Sequence, residues 1–308
     1  MMHTEQGLLR LSIIVTLVLA LFGIGFGLLS GSYSIVFDGI YALLDSSMTI
    51  VALLVARLIT SSAGELSRAR LVERFTMGFW HLEPMVLGLS GTMLIGASVY
   101  ALINAIGSLM SGGRDLAFGT AIIYALIVVA VACAMAVYCT RANRRIRSGF
   151  VAMDAKSWLI SAALTTALLI AFVFGWAIQG TGLEWMSPYV DPAILAIVCL
   201  IVIPVPIPTV RRALADILLV TPPDMKQHVD RVAQDIVTRH GFMGYRAYVA
   251  RVGRGRQIEL YFIVPTGEPP KRLEEWDAIR DEIGQQIGGE GPDRWLTIAF
   301  TTDLEWAE

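Results

Sequence analysis

Two aspartates, Asp38 and Asp45, lie in the first half of an otherwise apolar stretch, SIVFDGIYALLDSSMTIVALLVARLIT, at positions 34–60. A carboxylate at bilayer depth costs at least ~3 kcal/mol to insert, so two on one helix need a compensating role. Their spacing, 45 − 38 = 7, is close to two helical turns and puts both on one stripe, with Tyr41 between them and Thr49 one turn further on. A second stripe of the same period lies in MDAKSWLISAALTTALLIAF, where Asp154, Ser157, Ser161 and Thr165 fall at i, i+3, i+7 and i+11. Matching periods predict two facing helices. If these run in opposite senses, Asp45 shares its depth with Ser157 and Tyr41 with Ser161, while Asp154 lies about one turn away. Such oxygens can bind a cation between them or hydrogen-bond one helix to another. The second use contributes only ~0.6 kcal/mol per contact, too little alone to offset an ionised carboxylate.

The elements that must hold these residues are membrane helices. Of 308 residues 55% are hydrophobic and 16% charged, and the mean hydropathy of +0.63 is that of a membrane protein. Six stretches are long and apolar enough to cross ~30 Å of hydrocarbon, at 9–29, 34–60, 85–109, 117–139, 157–178 and 190–210. Arg10, Arg57, Arg68, Arg70, Arg74, Arg141, Arg144, Arg145, Arg147, Arg211 and Arg212 all fall on one side of that alternation, and the other side offers Arg114. The positive-inside bias therefore predicts cytoplasmic N- and C-termini. The apolar run near the N-terminus lacks an A-x-A-like cleavage site in good position and reads as a first spanning helix.

Several local signals refine the picture. Glu83 and Pro84 suit a helix start, and the segment before them, RLVERFTMGFWHLEP, mixes aromatics with Glu73 and His81 and reads as interfacial. Asp191-Pro192 has the form of an N-cap followed by proline at the first helical position. Pro204, Pro206 and Pro208 remove successive backbone donors and predict a kink or unwound exit. From about Pro222 charge becomes dense. Helix, two alternating strands, helix and strand follow, an αββαβ order that predicts a small α+β, ferredoxin-like domain with helices on one face of a mostly antiparallel sheet. Its first two strands are joined at Gly253-Arg254-Gly255. The expected organisation is a six-helix transmembrane domain at 1–212, a linker at 213–220 and a cytoplasmic domain at 221–308.

Other function classes find little support. A net charge of −2 gives no reason to expect nucleic acid. Of the four histidines, His3, His81, His228 and His240, none stands beside a candidate nucleophile, and no HExxH, GxSxG or phosphate-binding glycine loop is present. Cys133, Cys139 and Cys199 lie in apolar helical runs, not in CxxC pairs, and read as packing residues.

The chain resembles the cation diffusion facilitator (cation efflux) family. The likeness rests on DGIYALLD in the second span, GFWHLEP before the third, Gly112-Gly113 between the third and fourth, DAKSW in the fifth, YVDPAILAIV opening the sixth, and the αββαβ tail. It implies a transporter, not an enzyme, that exchanges a divalent metal ion for protons and forms a homodimer through its cytoplasmic tail. The implied location is a multi-pass protein of the bacterial inner membrane. In that family the transport site looks like an Asp or His and an Asp four residues apart on the second helix, matched by a similar pair on the fifth. Asp45 stands at the second of these positions, Tyr41 at the first, and Ser157 and Ser161 where the fifth helix would supply its pair.

These four side chains do not make a zinc site of the usual nitrogen and carboxylate type. The residues offer instead a modified, oxygen-only site of Asp45, Asp154, Tyr41, Ser157 and Ser161, supported by Asp38, Thr49 and Thr165. The cargo is manganese, magnesium, zinc or iron, and oxygen ligands suit magnesium or manganese better than zinc. The alternatives are a non-transporting scaffold or partner subunit, motivated by the replaced ligands, and purely structural aspartates. The tail strands carry no histidine, and His228 and His240 read as solvated helix residues.

Overall fold

The computed structural model describes residues 5–62, 79–146, 149–267, 269–291 and 293–308. Among them six helical stretches are long and apolar enough to cross a membrane. These are α1 (Glu5–Ser30), α2 (Tyr33–Ser62), α3 (Leu82–Met110), α4 (Phe118–Ile146), α5 (Gly149–Ala177) and a last span formed by α6 (Ser187–Val202) and α7 (Ile207–Ile217). Each expected span is present, but the helices overrun their apolar segments. Hydropathy marks what crosses lipid, whereas backbone hydrogen bonding continues through polar ends such as Asp154 and Lys156. Glu83 and Pro84 lie in the first turn of α3, as their types require.

The proline run breaks the last span. Residues 203–206 form a turn in which Val205 N–H reaches Val202 O (3.1 Å) and Ile207 N–H reaches Pro204 O (3.3 Å), the three-residue spacing left once proline donors are gone. The chain divides into two compact units, Met1–Ile50 with Ser90–Pro208, and Val51–Leu89 with Thr209–Glu308.

In the first unit α1 and α2 meet through glycine. A Cβ on Gly39 would lie 2.7 Å from Ala20 O and 2.8 Å from Ile24 N, and one on Gly27 would lie 2.6 Å from Val36. Small residues at these points let two backbones touch, the usual means of helix association where no hydrophobic difference separates lipid from protein. The link between the helices is just Gly31 and Ser32, with Gly31 at φ 73°. Side-chain packing completes the unit. Leu8, Met135, Val151 and Trp158 join α1, α4 and α5, and Phe37, Ala105 and Leu195 join α2, α3 and α6.

Asp191 does not cap its own helix. α6 begins earlier, at Ser187 with Pro188 in its first turn, and Pro192 lies inside the helix. Asp191 is 2% exposed and caps α2 instead. Its carboxylate accepts from Ser32 Oγ (2.6 Å) and Tyr33 N–H (3.0 Å), and its backbone carbonyl accepts from Ser34 Oγ (3.0 Å). Ser32 Oγ in turn accepts from Ile35 N–H (3.2 Å). A carboxylate at the positive end of α2 is favourable both as a hydrogen-bond acceptor and through the helix dipole. Arg114 lies 3.5 Å from the centre of the Tyr33 ring, and its N–H donates to Pro188 O (2.8 Å), locking the same corner. Asp191→Ala leaves Ser32 and Tyr33 N–H without this acceptor and is expected to lower stability by about 3 kcal/mol, read as a fall in the thermal midpoint of the detergent-solubilised protein.

In the second unit the tail follows the expected order: α8 (Pro223–His240), β1 (Gly244–Val252), β2 (Gly255–Ile263), α9 (Leu273–Ile287) and β3 (Arg294–Thr301), closed by a 3-10 turn at Leu304–Ala307. The sheet order is β1-β2-β3. It is not mostly antiparallel: β1 pairs antiparallel with β2, but β2 pairs parallel with β3. The helical crossover through α9 returns the chain in the same sense, which a hairpin does not do. The hairpin link is two residues, not three, because Gly255 already pairs with Val252; Gly253 takes φ 60°. Alternate residues Ile258, Leu260 and Phe262 of the central strand pack with Val229 and Ile236 of α8 and Ile283 of α9.

Glu83 accepts from Arg254 Nε (2.8 Å) beside this hairpin, and a Cβ on Gly255 would lie 2.5 Å from Trp80 Cε3. Of the segment read as interfacial, Glu73 and the residues up to 78 lie outside the described residues, while Phe79 is buried and His81 exposed.

Candidate functional site

A cavity of about 440 Å³ opens among α1, α2, α4 and α5. Asp38, Tyr41, Asp45 and Thr49 reach it from α2, and Asp154, Ser157 and Ser161 from α5. The 3.6-residue period therefore brings the two stripes to one space, as facing helices require. Thr165 does not line it. That residue is buried, and its hydroxyl donates to Ser161 O (2.9 Å) on its own helix. Thr49 lines the cavity, although its hydroxyl likewise turns back to Asp45 O (2.9 Å).

The three carboxylates have different surroundings. Asp38 accepts from Tyr124 Oη on α4 (3.1 Å), and that tyrosine is itself buried. Asp154 accepts from Ser12 Oγ on α1 (2.8 Å) with one oxygen and from Cys139 Sγ on α4 (3.5 Å) with the other. Ser12 also accepts from Trp158 Nε1 (2.8 Å), so one short network ties α1, α4 and α5 together. Asp45 is exposed to the cavity, and among the described residues no side chain or N–H donates to its carboxylate. Tyr41 stands beside it and packs on Phe37, with ring centres 5.7 Å apart.

Ser12, Thr16 and Tyr124 also line the cavity. Ser12 and Thr16 stand four residues apart in an apolar helix, so the reading of polar stripes used for α2 and α5 would have found them. Cys139 is more than a packing residue, because its thiol donates to Asp154. Cys199 is buried and Cys133 exposed. The tail histidines are only partly solvated and each has a partner. His228 is half-buried, with Nε2 3.2 Å from Ile287 O, and His240 sits 3.1 Å from Glu282 and stacks on Phe242.

Among the described residues no three His, Cys, Asp or Glu side chains gather as a metal cage. What the cavity offers a cation is oxygen: one open carboxylate, two engaged ones, and the hydroxyls of Tyr41, Ser157 and Ser161. The sequence model of the cation efflux transmembrane domain matches residues 9–218, which take in all but the first two residues of the six spans and every residue of the cavity. The chain belongs to the cation efflux family. No curated protein matches it. As a cation efflux protein it is a multi-pass membrane transporter of metal cations and not an enzyme.

Proposed function

We propose that this cation efflux protein exports divalent metal ions in exchange for protons, through the cavity among α1, α2, α4 and α5. Asp45 is the central carboxylate and Tyr41, Ser157 and Ser161 are its neutral oxygen partners. Asp154 is a second carboxylate at the same cavity, and Asp38, Thr49 and Thr165 support the two helices. The observation that carries this reading is the contrast among the acids: Asp38 and Asp154 are engaged by neighbouring helices, while Asp45 meets the cavity with its oxygens open.

An all-oxygen donor set favours the harder ions, magnesium or manganese, over zinc or iron. Protons and metal ions compete for the same Asp45 oxygens, and that competition is the least an antiporter needs. The arginine-rich connections support cytoplasmic termini, and the family resemblance is what supports a bacterial inner membrane. Family resemblance is what supports a homodimer formed through the α+β tail.

One observation favours a second reading, a non-transporting scaffold or partner subunit: no cage of three strong ligands exists among the described residues. Isothermal calorimetry on the purified protein separates the two. The transporter reading expects manganese or magnesium binding that Asp45→Ala removes and that Lys226→Ala, on the tail surface, leaves unchanged. Absence of binding at micromolar concentrations, or indifference to Asp45, supports the scaffold.

A further inference from the structure

A second cavity, of about 650 Å³, lies between the last turns of α4 and the first turns of α5. Arg141, Arg144 and Lys156 line it together with apolar Val137 and Leu159. All three cations are exposed, and among the described residues none pairs with a carboxylate. The acid nearest in sequence, Asp154, already accepts from Ser12 and Cys139. Val137 is 48% exposed and Leu159 63% exposed, so the same cavity continues onto the exposed apolar surface of two candidate spans.

Helix-end electrostatics account for Arg144, which stands in the last turn of α4 where the dipole favours a cation. They do not account for Lys156. It is the eighth residue of α5, close to that helix's positive end and inside the apolar span Asp154–Ala177. An ammonium there is costly unless an anion or the aqueous interface receives it.

We infer that this cavity binds the phosphate headgroup of an anionic phospholipid, with the acyl chains laid along Val137 and Leu159. Three cations with no carboxylate partner among the described residues, beside exposed apolar side chains of two spans, complement an amphiphilic anion, and basic pockets between membrane helices bind such headgroups. The bound lipid would hold α4 to α5 one residue away from Ser157, so it would steady the helix that serves the transport cavity.

Native mass spectrometry of the full chain tests this with phosphatidylglycerol, with phosphatidylcholine, and with inorganic phosphate as competitor. The expected result is preferential retention of phosphatidylglycerol, weakened about fivefold by each of Arg141→Gln, Arg144→Gln and Lys156→Gln and kept by Lys156→Arg. Arg211→Gln, outside the cavity, should change nothing. Equal retention of the two lipids, or a triple variant that holds phosphatidylglycerol as the parent does, overturns the proposal. Full displacement by phosphate alone also overturns it, in favour of a free-phosphate site. None of these readouts requires metal flux, so the outcome is independent of the transport proposal.

Discussion

Asp45→Asn is expected to lower metal flux in proteoliposomes by more than about a hundredfold, the loss that even an outer-sphere partner of a metal can cause. The unfolding midpoint should barely move. Amide and carboxylate have the same shape, so packing is kept, and no hydrogen bond from a described residue is lost at an open carboxylate. Asp38→Asn and Asp154→Asn should behave in the opposite way. Each sets an amide against donors, Tyr124 for Asp38 and Ser12 with Cys139 for Asp154, and should cost about 1–3 kcal/mol of stability. Their effect on flux should be smaller than that of Asp45→Asn. Flux that survives Asp45→Asn, or a stability loss equal across the three variants, would count against the division of roles proposed for the cavity.

Gly39→Val should force α1 and α2 apart, costing about 3 kcal/mol or more. The contacts a Cβ would make at 2.7 and 2.8 Å are with backbone atoms of Ala20 and Ile24, which have no rotamer in which to retreat. Only separation of the helices relieves them, and separation would enlarge the cavity that Asp38 and Asp45 line from α2. Gly25 is the control within α1. A Cβ there meets nothing within 4 Å, so Gly25→Ala should stabilise the protein by up to about 1 kcal/mol through helix propensity. Thermal unfolding in detergent reads both; equal midpoints for Gly39→Val and the parent would show that the helices can part freely.

Periodicity made much of this molecule legible. The six spans, the αββαβ tail, the break after Val202 and the shared cavity of two polar stripes all follow from spacing along one helix or strand, which sequence displays directly. The proline run was readable because a missing N–H acts where it stands. The partners of the acids were not readable. Asp191-Pro192 looks the same whether the carboxylate caps its own helix or another, and only the meeting of α6 with α2 decides between them. Asp154 likewise finds Ser12 at a separation of 142 residues. The parallel pairing of β2 with β3 is hidden from sequence for a related reason. Strand sense depends on whether a helix intervenes, and α9 does so between β2 and β3.

The two-residue link between α1 and α2 bears on how the protein enters its membrane. α2 is the least apolar of the six candidate spans, because it carries Asp38 and Asp45. Alone, it is the helix an insertion machinery would release to water most readily. Joined to α1 by only Gly31 and Ser32, it has no slack in which to wait outside while α1 is already in lipid. The pair must partition as one hairpin, and the surplus apolarity of α1 then carries the acidic helix across during biosynthesis.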